Sequence, residues 1–262
     1  MRRLLLAGLL LAGFLLTGLA QAEPIALYGT IGGKPVFLDL SHNGDTVSGW
    51  YFYLKAGKQQ RLDGKLSPKG FFDIQEYTAS DNSRSGSFRG RVRDGQWSGV
   101  WKNAAGKRAQ PVAFVPIKGN LKDADGRYRC TARRKDTSIG FSLSHSLDLT
   151  LAKGRVKTLT LSRRVRSDGD PAQSCTLTVR DLKQVRAPVG IEMRARGDTP
   201  DGKQHCTLRI IGAGDYLLIR PGQASQAGDD CRAAGSSHFC TPDGFWSDLV
   251  VNRKTQSCKS VE

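Results

Sequence analysis

The amino-acid sequence predicts an all-β protein of two consecutive antiparallel β-barrel or β-sandwich domains, preceded by a cleaved signal peptide. Short runs of alternating apolar and polar residues recur along the chain, and glycine-containing turns separate them at intervals of about 8–12 residues. No segment after residue 22 carries the apolar period of a helix of ordinary length. Alternation is typical of strands with one face in a core and one in water.

The first 22 residues have the pattern of an export signal. Arg2 and Arg3 precede an apolar stretch, and Ala20-Gln21-Ala22 supplies the small-x-small pattern that signal peptidase recognises. We therefore predict cleavage after Ala22 and a periplasmic location. The apolar stretch is shorter than the about 20 residues that cross a bilayer, and no second one follows, so we expect no membrane span.

Residues 23–118 are predicted to form the N-terminal β-domain. Segment 35–40 alternates, and segment 47–54 is rich in aromatic residues. Turns are predicted at 42–45, 56–58, 63–64, 69–70, 94–95 and 105–106. A polar stretch at 118–126 ends this domain.

Residues 119–262 are predicted to form a disulfide-bonded C-terminal β-domain. Its strand candidates are 127–133, 146–151, 155–161, 175–179, 190–196, 206–211, 216–219 and 245–251. The irregular stretch 221–244 is predicted to be a long loop.

Six cysteines lie in the second half of the chain: Cys130, Cys175, Cys206, Cys231, Cys240 and Cys258. An even number in an exported chain indicates three disulfides, for which fifteen pairings exist. The short Gly-Ser-rich ring favours Cys231–Cys240, and the facing of two strands favours Cys175–Cys206. Cys130–Cys258 is then the remaining pair. Cys130, Cys175, Cys206 and Cys258 can also be paired in two other ways, so two alternative pairings stay open. A zinc site is not expected, because no C-x₂-C pair occurs.

The chain is strongly basic. It has 40 Lys and Arg against 24 Asp and Glu, and loss of Arg2 and Arg3 lowers the formal net charge from +16 to +14. Residues 23–118 hold 14 basic and 8 acidic residues, and residues 119–262 hold 24 and 16. Because no basic arm stands out, we expect no nucleic-acid partner. The charge favours an acidic protein partner or an anionic envelope polymer, although it also serves solubility alone.

No motif indicates catalysis, a cofactor or a metal. Ser80-Asp81-Asn82 occurs without the other motifs of serine β-lactamases, and neither a G-x-S-x-G elbow nor a Walker loop is present. The four histidines have no metal-ligand spacing, and Asp123-Ala124-Asp125-Gly126 departs from a calcium loop at Arg127. We expect a protein without enzymatic activity; an unrecognised hydrolase is the alternative.

Aromatic and arginine side chains are the candidate binding residues. They lie in Trp50-Tyr51-Phe52-Tyr53 and in two strand candidates that follow in the chain. The predicted set is Trp50, Tyr51, Tyr53, Trp97, Trp101, Arg89, Arg91 and Arg93. The alternative is that the aromatic residues fill the core of a small barrel.

Motifs across residues 25–116 resemble a β-rich module of exported Gram-negative proteins. They are Tyr28-Gly29-Thr30, Val47-Ser48-Gly49-Trp50-Tyr51, Phe88-Arg89-Gly90 and Gln96-Trp97-Ser98-Gly99-Val100-Trp101. Gly126-Arg127-Tyr128-Arg129-Cys130 is weakly similar to lysozyme-inhibitor modules. The inhibitors' Ser-Gly-x-x-Tyr loop is not matched, because Ser48-Gly49-Trp50-Tyr51 places the tyrosine one residue early.

The general architecture, a signal peptide followed by disulfide-bonded β-domains, is also similar to that of periplasmic immunity proteins that neutralise toxins. Together these resemblances imply a binding function. We expect a periplasmic protein that inhibits or neutralises a hydrolase or toxin acting on the cell envelope. The alternative function is direct binding of an anionic glycan, peptidoglycan or lipopolysaccharide.

Overall fold

The computed structural model describes residues 23–117, 119, 121–136, 140–169, 171–178, 182–187, 189–195, 207–221 and 248–261. Strands hold 72% of these residues and helix holds 2%, which confirms the all-β prediction. The described helix is one 3-10 turn, Lys122–Ala124. No helix in the described part of the chain has the length and apolar character needed to cross a membrane.

Eight strands close into an antiparallel barrel in which every strand pairs with its neighbours in the chain and β1 pairs with β8. The strands are β1 (Glu23–Ile31), β2 (Lys34–Asn43), β3 (Thr46–Tyr53), β4 (Gln59–Leu66), β5 (Phe71–Thr78), β6 (Arg84–Arg93), β7 (Gln96–Asn103) and β8 (Ala109–Pro116). A barrel is thus confirmed for the N-terminal half. Closure leaves no unpaired strand edge in this part of the molecule.

Tight hairpins set the register of the barrel. Asp94 and Gly95 connect β6 to β7 with φ angles of 50° and 76°, the left-handed pair that a two-residue hairpin turn requires. The turn predicted at 63–64 is wrong, because both residues lie inside β4. Gly64 faces β5 so closely that an added Cβ would lie 2.5 Å from the Cα of Ile74. There glycine permits close approach of strands and does not form a turn.

In the described part of the C-terminal half, ten further strands form two sheets, of order β12-β11-β10-β9 and β13-β14-β15-β16-β17-β18. They are β9 (Gly126–Asp136), β10 (Phe141–Ala152), β11 (Arg155–Arg166), β12 (Gln173–Thr178), β13 (Leu182–Arg186), β14 (Ile191–Ala195), β15 (Thr207–Ala213), β16 (Tyr216–Pro221), β17 (Leu249–Asn252) and β18 (Ser257–Ser260). One apolar cluster contains residues from both sheets, including Leu149, Leu161, Ile210 and Val251. The two sheets therefore share a core.

A disulfide joins the adjacent edges of the two sheets. Cys130 on β9 is bonded to Cys258 on β18, with the Cα atoms 5.5 Å apart, as the sequence predicted. Beside it, the Arg129 backbone N–H donates to the side chain of Gln256 at 3.2 Å. The predicted Cys231–Cys240 and Cys175–Cys206 pairs lie outside the described residues and side chains, as do the signal peptide and residues 222–244 of the predicted loop, whereas Pro221 ends β16.

The barrel packs against the outer face of the six-stranded sheet. Phe37 and Phe52 from the barrel form one buried cluster with Ile211, Leu218 and Val250. Neighbouring residues on the same strands, such as Leu217 and Val251, point the other way into the shared core of the C-terminal sheets. Strand β16 is therefore buried on both faces, which explains its uninterrupted apolar run Tyr216-Leu217-Leu218-Ile219.

Candidate functional site

The interior of the barrel contains one buried carboxylate. Glu76 on β5 is 4% exposed, and it accepts hydrogen bonds from Tyr51 Oη at 2.9 Å, Ser85 Oγ at 2.7 Å and Trp101 Nε1 at 2.5 Å. Burial and the adjacent carboxylate raise the pKa of Tyr51, so its hydroxyl stays protonated as a donor. Because three donors enclose this group, its chemical role is to connect β3, β5, β6 and β7.

The predicted aromatic binding residues divide between the barrel interior and its contact with the C-terminal sheet. Tyr51 and Trp97 are 1% and 4% exposed in the barrel core, and Tyr53 and Trp101 pack against that core. Trp50 points outward and packs in the cluster beneath the six-stranded sheet. The structure therefore places these five rings in packing positions, and the C-terminal sheet covers the outer side of β3.

The three predicted arginines lie on the opposite face of the same barrel wall. Arg89, Arg91 and Arg93 alternate along β6 and point outward, and Arg89 keeps 71% of its side chain exposed. Because Phe88 and Val92 of the same strand face the barrel core, the arginines are separated from the core-packed tryptophans by the thickness of the sheet. The structure therefore does not bring the predicted aromatic residues and the predicted arginines together on one surface.

The arginines instead lie among exposed apolar side chains, on a mixed surface that the sequence alone did not reveal. Among the described residues, three large apolar side chains are exposed: Phe71 at 52%, Val100 at 40% and Val115 at 44%. Strand pairing sets Phe71 opposite Arg91, and Val100 between Arg89 and Pro111. We call this surface the β5–β8 face, defined by Phe71, Arg89, Arg91, Val100, Pro111, Ala113 and Val115.

Local contacts preorganise part of the β5–β8 face. The guanidinium of Arg91 lies over the ring of Phe71, 4.6 Å from its centroid. Arg89 Nε lies 3.0 Å from Asp73 Oδ2, but both side chains are largely exposed and the pair contributes little to stability. Arginine, exposed aromatic and aliphatic groups on a closed β-scaffold are suited to contact with another protein surface.

A concavity lies in the C-terminal part of the chain. A groove of about 530 Å³ opens between β11 and the β13–β14 hairpin, with Lys153, Arg155 and Lys157 on one wall. Gln184 on the other wall accepts a hydrogen bond from the Val156 backbone N–H at 3.1 Å. The Gln184 side chain thus takes the place of a neighbouring strand as the acceptor for Val156. The three basic residues give the groove a basic rim.

The described residues contain no group of three or more His, Cys, Asp or Glu side chains placed to hold a metal ion. His145 is buried, and its Nδ1 lies 3.1 Å from Ser260 Oγ. Burial and the neighbouring Arg163 lower the pKa of His145 to about 4. This histidine therefore stays neutral near pH 7 inside the C-terminal core.

The residues that sequence reasoning missed are the apolar members of the β5–β8 face. Phe71 and Phe72 are adjacent, and only the phase of the alternation distinguishes the exposed ring from the buried one. Asp73 and Gln75 share the phase of Phe71, which is the available signal that this ring points to solvent.

No family model, curated protein or solved structure matches this chain.

Proposed function

We propose that the protein is exported to the periplasm and binds an acidic protein there, a hydrolase or toxin that acts on the cell envelope. Binding inhibits or neutralises that partner, and the chain performs no catalysis itself. Residues 1–22 are removed, and residues 23–118 and 119–262 form two domains. The leader pattern and the Cys130–Cys258 disulfide support export, because disulfides persist in oxidising compartments.

The exposed β5–β8 face is the observation that carries this proposal. Phe71, Val100 and Val115 keep roughly half of their surface in water, on a barrel that buries most of its other large apolar groups. Large apolar side chains exposed together on one side of a protein mark a candidate interaction surface. Arg89, Arg91 and Ser98 lie among these side chains, so the partner is expected to present apolar and acidic groups together.

The closed barrel suits an inhibitor. Every barrel strand is paired on both sides, so docking costs little backbone ordering. The net positive charge speeds encounter with an acidic surface and makes the rate of association fall as salt rises.

The test is capture of envelope proteins on the immobilised mature chain at low and high salt, followed by binding and activity assays on each retained protein. The proposal expects a retained acidic hydrolase or toxin whose activity falls when the chain is added. Phe71→Ala and Arg91→Glu should each weaken its binding by tenfold or more, about the effect of a hot-spot residue.

A matched control uses the other arginine–aromatic pair of the barrel surface. Arg61 lies over Tyr77 at 4.7 Å, about 20 Å along β5 from Phe71. Arg61→Glu makes the same charge change as Arg91→Glu and should leave binding unchanged. Equal losses for both variants would mean that net charge, and not the β5–β8 face, determines binding. Absence of any acidic partner at low salt would reject the function.

A further inference from the structure

The outer face of the four-stranded sheet presents regular rows of hydroxyl and cationic side chains. Strand pairing sets Thr131, Ser146, Ser162 and Thr176 in one row across the four strands. Ser162 Oγ and Thr176 Oγ1 lie 2.9 Å apart within it. Residues of the opposite phase, such as Leu147, face the core. The outward face is therefore polar from edge to edge along this row.

The next two rows carry four cations. Arg133, Ser144, Arg164 and Ser174 form one row, and Lys135, Ser142 and Arg166 form the other. The four basic side chains are exposed. Their Cα atoms lie about 7 Å apart along a strand and about 10 Å apart across two strands, so they mark the four corners of one patch of the sheet. We call this region the four-cation face, defined by Arg133, Lys135, Arg164 and Arg166, with Ser142 and Ser144 between them.

At the opposite end of the same sheet, two arginines are neutralised within the protein by an acidic side chain. There Arg127 and Arg129 both reach Asp148, each with a nitrogen 2.9 Å from Oδ2. No ion pair of this kind joins the four corner residues to an acidic side chain within the described part of the chain. Like charges held this close repel one another, and a bound anion would remove that repulsion.

We infer that the four-cation face binds an anionic polysaccharide, with Arg133, Lys135, Arg164 and Arg166 on its acidic groups and the serines on its hydroxyls. Guanidinium groups bind carboxylate, sulfate and phosphate in a two-pronged geometry. An open sheet face with charges at a fixed spacing suits a linear polymer better than a small molecule, which needs a concave site.

The composition of the four-cation face distinguishes this occupant from others. Serine is depleted at protein–protein interfaces, and here it alternates with the cations. The described rows carry no aromatic side chain that could stack on the bases of a single-stranded nucleic acid. This face belongs to a different sheet from the one that packs on the barrel, so the inference stands independently of the β5–β8 face.

The experiment measures binding of the full chain, purified from an exporting host, to heparin oligosaccharides and to polygalacturonate at several salt concentrations. Neutral dextran is the blank. Arg133→Gln combined with Arg164→Gln should lower the affinity for both acidic polysaccharides by about tenfold or more, since each lost contact is a charge-assisted hydrogen bond. The slope of affinity against salt should also fall, because fewer counterions are released.

Arg127→Gln combined with Arg129→Gln is the matched control, because it removes the same charge from the same face. These arginines are already paired with Asp148, so this double variant should bind nearly as tightly as the wild type. Circular dichroism and urea midpoints establish that both double variants are folded. Equal loss in the two double variants would overturn the four-cation face as the site.

Two further probes identify the class of polymer. Inorganic polyphosphate and duplex DNA offer repeated charge without the hydroxyl pattern of a polysaccharide. Ser142→Ala combined with Ser144→Ala should weaken heparin binding severalfold and leave polyphosphate binding unchanged. Tighter binding of polyphosphate or DNA than of either acidic polysaccharide, or no binding of any acidic polysaccharide at low salt, would overturn the inference.

Discussion

Arg220 of the six-stranded sheet and Asp39 of the barrel form an ion pair across the contact between the two parts of the chain, with Nη1 2.6 Å from Oδ2. The Arg220 guanidinium also lies over Trp50, 4.4 Å from the ring centroid, and its Nε is 2.8 Å from Asp248 Oδ2. One cation therefore neutralises two carboxylates and covers an aromatic ring at the edge of the apolar contact.

Replacing Arg220 by alanine should destabilise the protein substantially. The side chain is 14% exposed, and its loss leaves the partly buried carboxylates of Asp39 and Asp248 without their counter-ion. Removing one partner of a buried pair costs about 3 kcal/mol in the free energy of unfolding. Urea unfolding measures it. Lys254→Ala breaks the exposed pair with Asp215 and should cost far less than the loss of Arg220, because water and salt screen that pair. Equal costs would show that Arg220 has no special role.

Asp248 should make the stability fall as the pH rises. Burial and nearby Asp39 raise its pKa to about 6 from 3.8, although Arg220 acts in the opposite direction. Because the folded-state pKa lies above the unfolded value, the contribution is complete below pH 3.8 and is lost as the pH rises through about 6. Two pKa units correspond to about 3 kcal/mol.

Asp248→Asn isolates this effect. Urea midpoints between pH 4 and pH 7.5 should give a difference, variant minus wild type, that grows as the pH rises. A difference that stays constant across this range would show that Asp248 does not titrate there.

His145 should act in the opposite direction over an overlapping range. Its pKa is lowered to about 4 from 6.5 by burial and by Arg163, so the folded protein favours the neutral ring. The stabilisation is complete above pH 6.5 and is lost as the pH falls toward 4, by about 3 kcal/mol in total. His145→Gln should lose less stability than the wild type between pH 7 and pH 4. A steeper acid loss in this variant would contradict the assignment.

The stability of the barrel should fall less when one hydrogen-bond donor to Glu76 is removed than when the charge of Glu76 is removed. Tyr51→Phe removes one hydrogen bond to Glu76 and should cost about 2 kcal/mol, the usual range for a charged acceptor. Glu76→Gln should cost more, because an amide nitrogen donates hydrogen bonds and cannot accept them. In this variant that nitrogen would face one of the groups that donate to Glu76 in the wild type. Thermal unfolding of both variants tests the order. If the glutamine variant is the more stable of the two, the carboxylate is not the organising acceptor.

Local periodicity was enough to predict most strands, because alternation depends on neighbouring residues alone. The segment 47–54 was predicted as a strand and corresponds to β3, but its aromatic residues were predicted to bind a partner, whereas both faces of the strand are covered in the structure. The cover over the outer face comes from β16 and β17, which lie far along the chain (Tyr216–Pro221 and Leu249–Asn252), and no local pattern encodes that contact. Strand β18 (Ser257–Ser260) escaped prediction because its residues are mostly polar and the strand is short. Gly64 was misinterpreted because a close approach of strands and a turn demand the same residue.

The Cys130–Cys258 disulfide should be the largest single contribution to the stability of the C-terminal sheets. It closes a loop across a sequence separation of 128 residues. In the chain-entropy model a crosslink over such a loop stabilises by about 4–5 kcal/mol, because it restricts the unfolded chain most. It also holds β9 beside β18, where Arg129 and Gln256 supply a further hydrogen bond. Cys130→Ala combined with Cys258→Ala should lower the urea midpoint by several times more than Gln256→Ala, which removes the side-chain acceptor of that hydrogen bond. Non-reducing peptide mapping of the wild type should recover the Cys130–Cys258 peptide. A peptide joining either cysteine to a different partner would refute the pairing, since each sulfur forms a single bridge.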